Sequence, residues 1–422
     1  MSKNIKLETT ITELARLYQK KNFVELIKTA ETILRKDNSS AIIWNFLALG
    51  YRYIGQTQKA VNLYEKLLEK NSNNFILNVN AGNLFLALGR IQESIVCFKQ
   101  ALSAEPNKIE VLWGLGISYI ELGDFDSAQI HFEKILKIDN SHSAARFRLG
   151  RVLKKKRCFK EAAEHFDKTD FELSKAHQLE CYYLQGDKKI FYEKYEELII
   201  KPPLNPLTAA IVCHASIRYN KKLENPFCNK PMDYIRKVRL SEKEGLSDDL
   251  IDSLIEIRNS TDIKKQPLLE KGEQSSGNLF LIDRPEVKNL KQILEKQIEE
   301  YRTHFFHSSE GFLKKWPQNS SLFGWLVFIN KGGQLKAHIH NQGWLSGSIY
   351  FKIPKKKSPG EGNISFDLSG SDYPDEGKTF PKTEHNIKKG DLVLFPSSLY
   401  HNTLPFSSDE ERVSLAFDVM PK

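Results

Sequence analysis

The sequence of 422 residues contains little cysteine, no long apolar run and no arginine-rich arm. Its five cysteines are odd in number and widely spaced, none follows Cys228, and no CxxC pair occurs. This usage argues against a disulfide framework or a cysteine metal site and is typical of reduced thiols in the cytosol. No run reaches the roughly 18 apolar residues that a membrane span needs, and no apolar signal segment is visible. We therefore expect a cytoplasmic protein.

The charge and hydrophobicity of the chain are those of a globular protein. Hydrophobic residues make up 40% of the sequence and charged residues 27%, and the net charge of +9 comes mainly from dispersed lysine. No nucleic-acid signature accompanies this charge, so we predict neither a nucleic-acid partner nor a membrane partner. The length exceeds that of one typical domain and indicates two or three.

An internal repeat dominates the first part of the chain. Segments 41–74, 75–108 and 109–142 align at a period of 34 residues, and 143–175 follows the pattern less well. Small residues let two helices approach closely, and aromatic side chains at helical spacing fill the groove between them, so each unit predicts a stacked helix–turn–helix. The recurring residues are Ala48, Gly82, Gly116 and Gly150 in the first helix, Gly55, Gly89 and Gly123 in the turn, and Tyr64, Phe98, Phe132 and Phe166 in the second helix.

These units resemble the tetratricopeptide repeat family over about residues 8–175, with a degenerate first unit at 8–40. The resemblance implies an α-solenoid that binds a protein or peptide on its concave surface. Atypical capping repeats are expected at both ends. From 176 to 265 the period is lost, and we predict a helical extension and a connector, with His214 as a core histidine and a polar loop over 259–271.

The remaining residues, 266–422, change to a different pattern. An amphipathic helix is predicted over 285–305, followed by short β runs separated by Gly, Pro, Asn and Asp. Many short strands with such turns predict an all-β sandwich or jelly roll, and the helix would cover one of its sheets. The expected strands include 324–329, 345–353, 363–368, 392–395 and 413–419.

Three histidines in this region form a candidate metal site. His338 and His340 are one residue apart, so on a strand both side chains project from the same face and can reach one ion. His401 follows a turn at Gly390 and an apolar strand that would bring it back to the core. Imidazole suits iron, zinc, copper and nickel, so the ligand type alone leaves the metal open.

Four ordered motifs resemble the 2-oxoglutarate- and Fe(II)-dependent dioxygenase superfamily over about residues 270–422. They are His338-x-His340, Leu345-Ser346-Gly347 with Tyr350, Phe395-Pro396 with His401, and Arg412-x-Ser414. The resemblance implies a double-stranded β-helix in which the three histidines hold Fe(II). It further implies that the far carboxylate of 2-oxoglutarate pairs with Arg412, aided by Ser414 and Tyr350, and that a C–H bond of a second substrate is hydroxylated. The planar fork of arginine suits a carboxylate.

One departure from the superfamily leaves alternatives open. Most members carry a carboxylate at the position of His340. Either three neutral imidazoles bind the metal, which we favour because His340 is in phase with His338, or a carboxylate such as Asp367 completes the shell. Our leading hypothesis is a dioxygenase that acts on a protein or peptide presented by the solenoid. The alternatives are a non-catalytic repeat scaffold with a cupin-like metal-binding domain, and a zinc hydrolase or hydrase with a three-histidine site.

Overall fold

The computed structural model describes two compact units, Met1–Cys158 and Phe159–Lys422. None of the helices in the described part of the chain combines the length and the apolarity that a bilayer crossing requires. The predicted domain limits after residues 175 and 265 stay a prediction. The described residues are 2–37, 40–171, 173–200, 204–261, 263–264, 266–370 and 372–422.

The N-terminal unit is an α-solenoid in which helices pack in sequence order. Its repeats confirm the predicted helix–turn–helix units. The helices are α1 (Ser2–Gln19), α2 (Phe23–Leu34), α3 (Ala41–Tyr53), α4 (Thr57–Lys70), α5 (Phe75–Ala87), α6 (Ile91–Ala104), α7 (Ile109–Leu122), α8 (Phe125–Ile138) and α9 (Ser143–Lys155).

The small and aromatic residues of the repeat meet inside each helix pair. Phe132 is fully buried, and a Cβ atom added at Gly116 would lie 2.7 Å from its ring. A Cβ atom added at Gly82 would likewise lie 3.0 Å from the ring of Phe98. The close approach of the helices therefore favours a small residue at this position, in agreement with the repeat pattern.

The turn between the two helices keeps its backbone even where the repeat sequence changes. Gly89 and Gly123 have φ angles of 73° and 82°, a left-handed conformation that favours glycine. One period before Gly55 and one period after Gly123, the same conformation is adopted by Lys21 (φ 56°) and Arg157 (φ 63°). At both ends of the array, where departures from the repeat sequence are expected, the glycine of the turn is thus replaced by another residue while the backbone conformation of the turn is kept.

The second unit begins with helices that pack on part of the β-structure. A buried cluster from α11, α12 and α13 includes Tyr183, Phe191 and Ile211, and both Ile339 and Tyr373 pack against it. Ile339 lies between the two histidines of the His-x-His pair. The helices of this unit are α10 (Phe159–Asp167), α11 (Ser174–Gln185), α12 (Lys188–Ile200), α13 (Pro206–Arg218), α14 (Asp248–Glu256), α15 (Pro285–His304) and α16 (Gly311–Lys314).

The strands form one curled, antiparallel, 10-stranded sheet of the jelly-roll type. Its strand order is β1-β8-β5-β10-β4-β9-β6-β7. Strand β3 also pairs with β4, and β2 pairs with β3. The strands are β1 (Arg236–Arg239), β2 (Ile263–Lys264), β3 (Leu269–Ser275), β4 (Ser320–His338), β5 (Leu345–Lys352), β6 (Ile364–Asp367), β7 (Lys382–His385), β8 (Asp391–Pro396), β9 (Tyr400–Thr403) and β10 (Arg412–Pro421).

The long strand β4 connects the two halves of this curled sheet. Its first half pairs with β10, from Ser320 to Ile329, and its last residues pair with β9. Between them Gly332 adopts a φ of 68°, and the register shifts before His338. Such an irregularity bends a strand and lets it pass from one sheet to another.

Both faces of the sheet bury apolar residues, the inner one with Phe366, Val393 and Phe395, but they differ in their polar content. One face, which includes Leu326, Leu394 and Leu415, packs against α14 and α15 in a large apolar core. The helix predicted over 285–305 is therefore confirmed. The opposite, inner face carries the polar residues of the candidate site.

Two other predictions have different outcomes. The loop predicted over 259–271 is only partly correct, because Leu269 begins β3 and is buried with Val327 and Ile329. The polar residues of that segment alternate along a strand, which a composition-based reading takes for a loop. His214 is a core histidine, as predicted: it is 1% exposed, hydrogen-bonds Tyr183 and stacks on Phe380 at 4.2 Å.

Candidate metal centre

The sheet brings the three predicted histidines to one place. His338 at the end of β4 lies directly opposite His401 of β9 in the antiparallel register. His340 follows two residues later, where its backbone N–H donates to the Ser397 carbonyl at 3.2 Å. The junction of three chain segments therefore gathers side chains that are far apart in sequence.

The ring nitrogens of these histidines are close enough to share one ion. The candidate ligand atoms of His338, His340 and His401 all lie within 4.8 Å of one another. The Nε2 atoms of His338 and His340 are 3.1 Å apart, a separation open to two nitrogens that each lie about 2.1 Å from the same metal.

Hydrogen bonds behind the rings determine which nitrogen faces inward. The Nδ1 atom of His338 lies 2.8 Å from the Lys336 carbonyl oxygen, and that of His401 lies 3.2 Å from the Leu399 carbonyl oxygen. The Nδ1 atom of His340 lies 2.5 Å from Asp418 Oδ1. Because each Nδ1 faces an oxygen acceptor, it carries the proton and donates it, which leaves the three Nε2 lone pairs to converge.

Burial favours the neutral form of two of these rings, those of His338 and His401. Desolvation, assisted by the neighbouring His340, lowers the pKa of His338 to about 4. Desolvation also holds the pKa of His401 well below its usual value. A metal binds the neutral imidazole, so at neutral pH these ligands need not lose a proton first.

A buried carboxylate near the histidines was missed by the sequence reasoning. Asp418 is 6% exposed, and its Oδ1 accepts hydrogen bonds from His340 and from the Ser346 hydroxyl, at 2.7 Å for the latter. The available signal was the two-residue alternation on β10, which places Asp418 on the same face as Arg412 and Ser414.

Asp367, the carboxylate considered as an alternative ligand, has other partners. Its Oδ1 accepts the backbone N–H of Ser369 at 2.9 Å and the Ser369 hydroxyl at 2.6 Å. Asp367 pairs with Tyr400, and it is the adjacent Phe366 that pairs with His401. Among the described residues, the group able to share an ion at this place consists of the three histidines.

Arg412 lies on the same inner face in an incomplete polar environment. It is 2% exposed, its guanidinium carbon lies 4.9 Å from the centre of the Tyr350 ring, and its Nη1 donates to Ser414 Oγ at 3.2 Å. Among the described residues, its Nε and the Tyr350 hydroxyl form no hydrogen bond of normal geometry, although Ser348 and Arg412 lie close enough to the hydroxyl to act on its pKa. No described carboxylate forms an ion pair with Arg412. Burial lowers the pKa of Arg412, with Tyr350 acting in the opposite direction. A guanidinium stays charged in proteins, so this one lacks an anion.

Small side chains separate the histidine end from the arginine end. Along β5 and β10 the paired residues change from Ser346 and Asp418, through Ser348 and Ala416, to Tyr350 and Ser414. The middle pair keeps partial exposure while the outer pairs are buried. This inner face therefore offers nitrogen ligands at one end, an anion-binding group at the other and little side-chain bulk between them.

These residues fit a metal and a carboxylate ligand on chemical grounds. Three convergent imidazole lone pairs suit a transition metal. A buried, charged donor with an orphaned N–H suits the carboxylate of a small molecule, because an unpaired buried charge is costly.

Family models match both parts of the chain. The model described as "Putative 2OG-Fe(II) oxygenase" matches residues 324–418, a range that contains all three histidines and Arg412. Tetratricopeptide repeat models match residues 43–74, 82–123 and 109–142. A comparison with curated proteins finds no match.

Several solved structures of repeat proteins are similar to the chain. A tetratricopeptide repeat protein from Parabacteroides merdae is 18% identical over 51% of this chain and 87% of its own, with a TM-score of 0.40. PilF from Pseudomonas aeruginosa is 18% identical over 49% of this chain and 97% of its own, with a TM-score of 0.42. YrrB, described as a TPR protein with an unusual peptide-binding site, is 19% identical over 41% of this chain and 93% of its own, with a TM-score of 0.37.

The repeat pattern, the curled sheet and the family matches agree with one another. The N-terminal helices carry the tetratricopeptide repeat pattern, and the strands that hold the histidines lie within the oxygenase match. The chain thus combines tetratricopeptide repeats with a C-terminal domain of the family described as "Putative 2OG-Fe(II) oxygenase".

Proposed function

We propose that the protein is a 2-oxoglutarate- and Fe(II)-dependent dioxygenase. In this proposal His338, His340 and His401 hold Fe(II), and Arg412 with Ser414 and Tyr350 holds 2-oxoglutarate. The observation that carries the proposal is the pairing, on one inner face, of three convergent imidazoles with a buried guanidinium to which no carboxylate of the described residues is ion-paired. Fe(II) with 2-oxoglutarate supplies an oxidant, generated from dioxygen, that can hydroxylate a C–H bond.

Arg412 is the group that orients the dicarboxylate. The Tyr350 ring lies against its guanidinium, and Ser414 Oγ accepts from Nη1, so both neighbours restrict the fork to one orientation. The Nε that lacks a partner is then available to a carboxylate oxygen. The unpartnered Tyr350 O–H and the Ser414 O–H can donate to the same carboxylate.

The substrate is proposed to be a protein or peptide in the cytoplasm. Stacked repeats form an extended surface that suits a polypeptide, and the same chain carries the candidate oxidising site. This part of the proposal rests on architecture, because a fold by itself does not determine a substrate. We also propose that the repeat array extends over 8–175 and the β-domain over 266–422, and that the helical extension and connector over 176–265 contribute β1 and β2 to its sheet.

Anaerobic spectroscopy tests the cofactor pair directly. Fe(II) is added to the metal-free protein, followed by 2-oxoglutarate, and the visible charge-transfer band of the chelate is recorded. We expect a band in the wild type, none in His338→Ala, and a much weaker band in Arg412→Ala at the same 2-oxoglutarate concentration. Arg302→Ala is the matched control, because Arg302 is a partly exposed arginine that pairs with Glu299 on α15.

The same experiment separates the other functions that the sequence left open. Iron binding without a band would support a metal-binding scaffold. Retention of zinc after purification, together with indifference to Arg412→Ala, would support a zinc hydrolase or hydrase. Either result would overturn the dioxygenase proposal.

A further inference from the structure

The three histidines differ in the kind of acceptor behind each ring. His338 and His401 donate to backbone carbonyl oxygens, those of Lys336 and Leu399. His340 donates to a carboxylate, Asp418, over 2.5 Å. The centre therefore contains one imidazole whose outer nitrogen is bonded to a full negative charge.

Asp418 is held in this place by its own contacts. Ser346 donates to Asp418 Oδ1 at 2.7 Å and lies 2.8 Å from the Ser397 hydroxyl. A Cβ atom at Gly343 would lie 3.0 Å from Asp418 Cγ and 2.7 Å from Ser397 Oγ. The absence of a side chain at Gly343 is thus what leaves room for the carboxylate behind His340.

The charge of Asp418 lacks a conventional counter-ion. Its side chain is 9% exposed, that of His340 is 10% exposed, and the ion pairs of the described residues give Asp418 no lysine or arginine. A buried carboxylate is costly unless a nearby positive charge compensates for it. A divalent ion on the far side of the His340 ring would supply that charge through the imidazole.

We propose that Asp418 is a positioning residue that provides, through His340, the negative charge that a His-x-Asp centre carries among its direct ligands. Three imidazoles alone leave the full charge of a divalent ion on the centre. An imidazole that donates to a carboxylate is a stronger donor and has a fixed orientation. This inference rests on the proposed function only in requiring a metal at the three histidines.

Metal affinity of substituted proteins tests the role of Asp418. Metal-free full-length protein is titrated with Co(II) in competition with a chelator. We expect Asp418→Asn to weaken binding about 10- to 100-fold, the usual cost of losing the outer partner of a histidine ligand, and Asp418→Ala to weaken it more, because the oxygen acceptor is lost as well. Glu310→Gln is the control, since Glu310 is a buried acid away from the histidines that accepts the Asn229 backbone N–H; it should leave the affinity unchanged.

The potential of bound iron distinguishes a contribution of charge from a structural one. If Asp418 supplies charge, the Fe(III)/Fe(II) midpoint potential of Asp418→Asn is higher than that of the wild type, because the ferric form loses more stabilisation. A residue that only supports the fold would change the fraction of protein loaded and leave the potential of the bound iron unchanged. An unchanged affinity or an unchanged potential in Asp418→Asn overturns the inference.

A measurement on the wild type keeps the inference testable if the variants do not fold. All three imidazoles should bind Co(II) through Nε2, so the loaded protein should give three exchangeable, paramagnetically shifted Nδ1–H proton resonances. If the resonance that is missing is that of His340, identified by its proximity to Ser346, then His340 does not bind while donating to Asp418, and the inference is wrong. If the wild type binds no Co(II) at these histidines, both the inference and the proposed function are wrong. If the wild type binds Co(II) and Asp418→Asn binds it equally well, the inference is wrong and the proposed function stands.

Discussion

The histidine end and the arginine end of the candidate site are completed in different ways. Behind the histidines, every Nδ1 has an acceptor within the protein, and the Asp418 carboxylate has a second donor in Ser346. At the other end, Arg412 Nε and the Tyr350 hydroxyl are buried without a partner. The protein therefore organises one end by itself and leaves the other end to be completed by a ligand.

This difference gives opposite signs for the effect of substitutions on stability. Removing a partner from a satisfied network strands the group it bonded and destabilises the fold. Replacing a buried charge that has no counter-ion with an apolar side chain removes a desolvation cost and stabilises the ligand-free fold. Loss of function and gain of stability are expected to coincide only at the arginine end.

The largest effect is expected from removing a histidine. His401→Ala should weaken Fe(II) binding by more than about a hundredfold, because even the loss of an outer partner of a ligand costs about 10- to 100-fold. Anaerobic competition titration with a chelator measures it. His307→Ala, which alters an exposed histidine after α15, is the control and should bind as the wild type. If His401→Ala bound Fe(II) as tightly as the wild type, His401 would not be a metal ligand.

Arg412→Met should separate binding from stability. We expect 2-oxoglutarate affinity in the metal-loaded protein to fall by about 2–5 kcal/mol, the cost of truncating a buried charge partner. The ligand-free protein should become more stable by about 1 kcal/mol or more. Calorimetric titration measures the first effect and denaturant unfolding the second. A less stable ligand-free Arg412→Met protein would show that the guanidinium is already satisfied, and the comparison of the two ends would fail.

Asp418→Ala should have the opposite effect on the ligand-free fold. It removes the charged acceptor shared by the His340 Nδ1–H and the Ser346 hydroxyl and leaves them the contact between them at 3.2 Å and the Ser397 hydroxyl at 2.8 Å. A hydrogen bond to a charged group contributes about 1.5–3 kcal/mol. Denaturant unfolding of the metal-free protein provides the measurement. A stability equal to or above that of the wild type would mean that this end is not pre-organised by the protein.

Tyr350→Phe should give the smallest effect. The hydroxyl has no partner in the ligand-free protein, so its removal should change the free energy of unfolding by less than about 0.5 kcal/mol. If the hydroxyl donates to the 2-oxoglutarate carboxylate, affinity should fall by about 0.5–1.5 kcal/mol, the net value of one hydrogen bond. Thermal unfolding and calorimetric titration measure the two quantities. A clear loss of stability without ligand would assign the hydroxyl a protein partner.

Much of the fold could be predicted because its causes are local in sequence. The 34-residue period contains both halves of each helix contact, such as Gly116 and Phe132. Likewise, the two-residue alternation puts His338 and His340 on one face and Arg412 and Ser414 on another strand. The roles of these site residues remain predictions until the metal and 2-oxoglutarate measurements are made.

The rest depends on contacts that no short stretch of sequence contains. The approach of Asp418 to His340 requires the bend of β4 near Gly332 and the register that pairs Asp418 with Ser346. The polar composition of the first part of β3 predicts a loop. Its pairing with β4, which makes it a strand, is decided by tertiary context. In the same way, only the packed structure reveals that no acidic side chain in the described part of the chain pairs with Arg412.

Ile339 links the geometry of the metal centre to helices that precede it by more than a hundred residues. Its neighbours His338 and His340 point inward, while Ile339 packs on the cluster of α11, α12 and α13. A shift of those helices would either move Ile339 or expose more of its partly buried side chain. The backbone between two candidate ligands is therefore held from both sides just after β4 ends. A fragment that began at residue 266 would keep all three histidines and lose the helices that pack on Ile339.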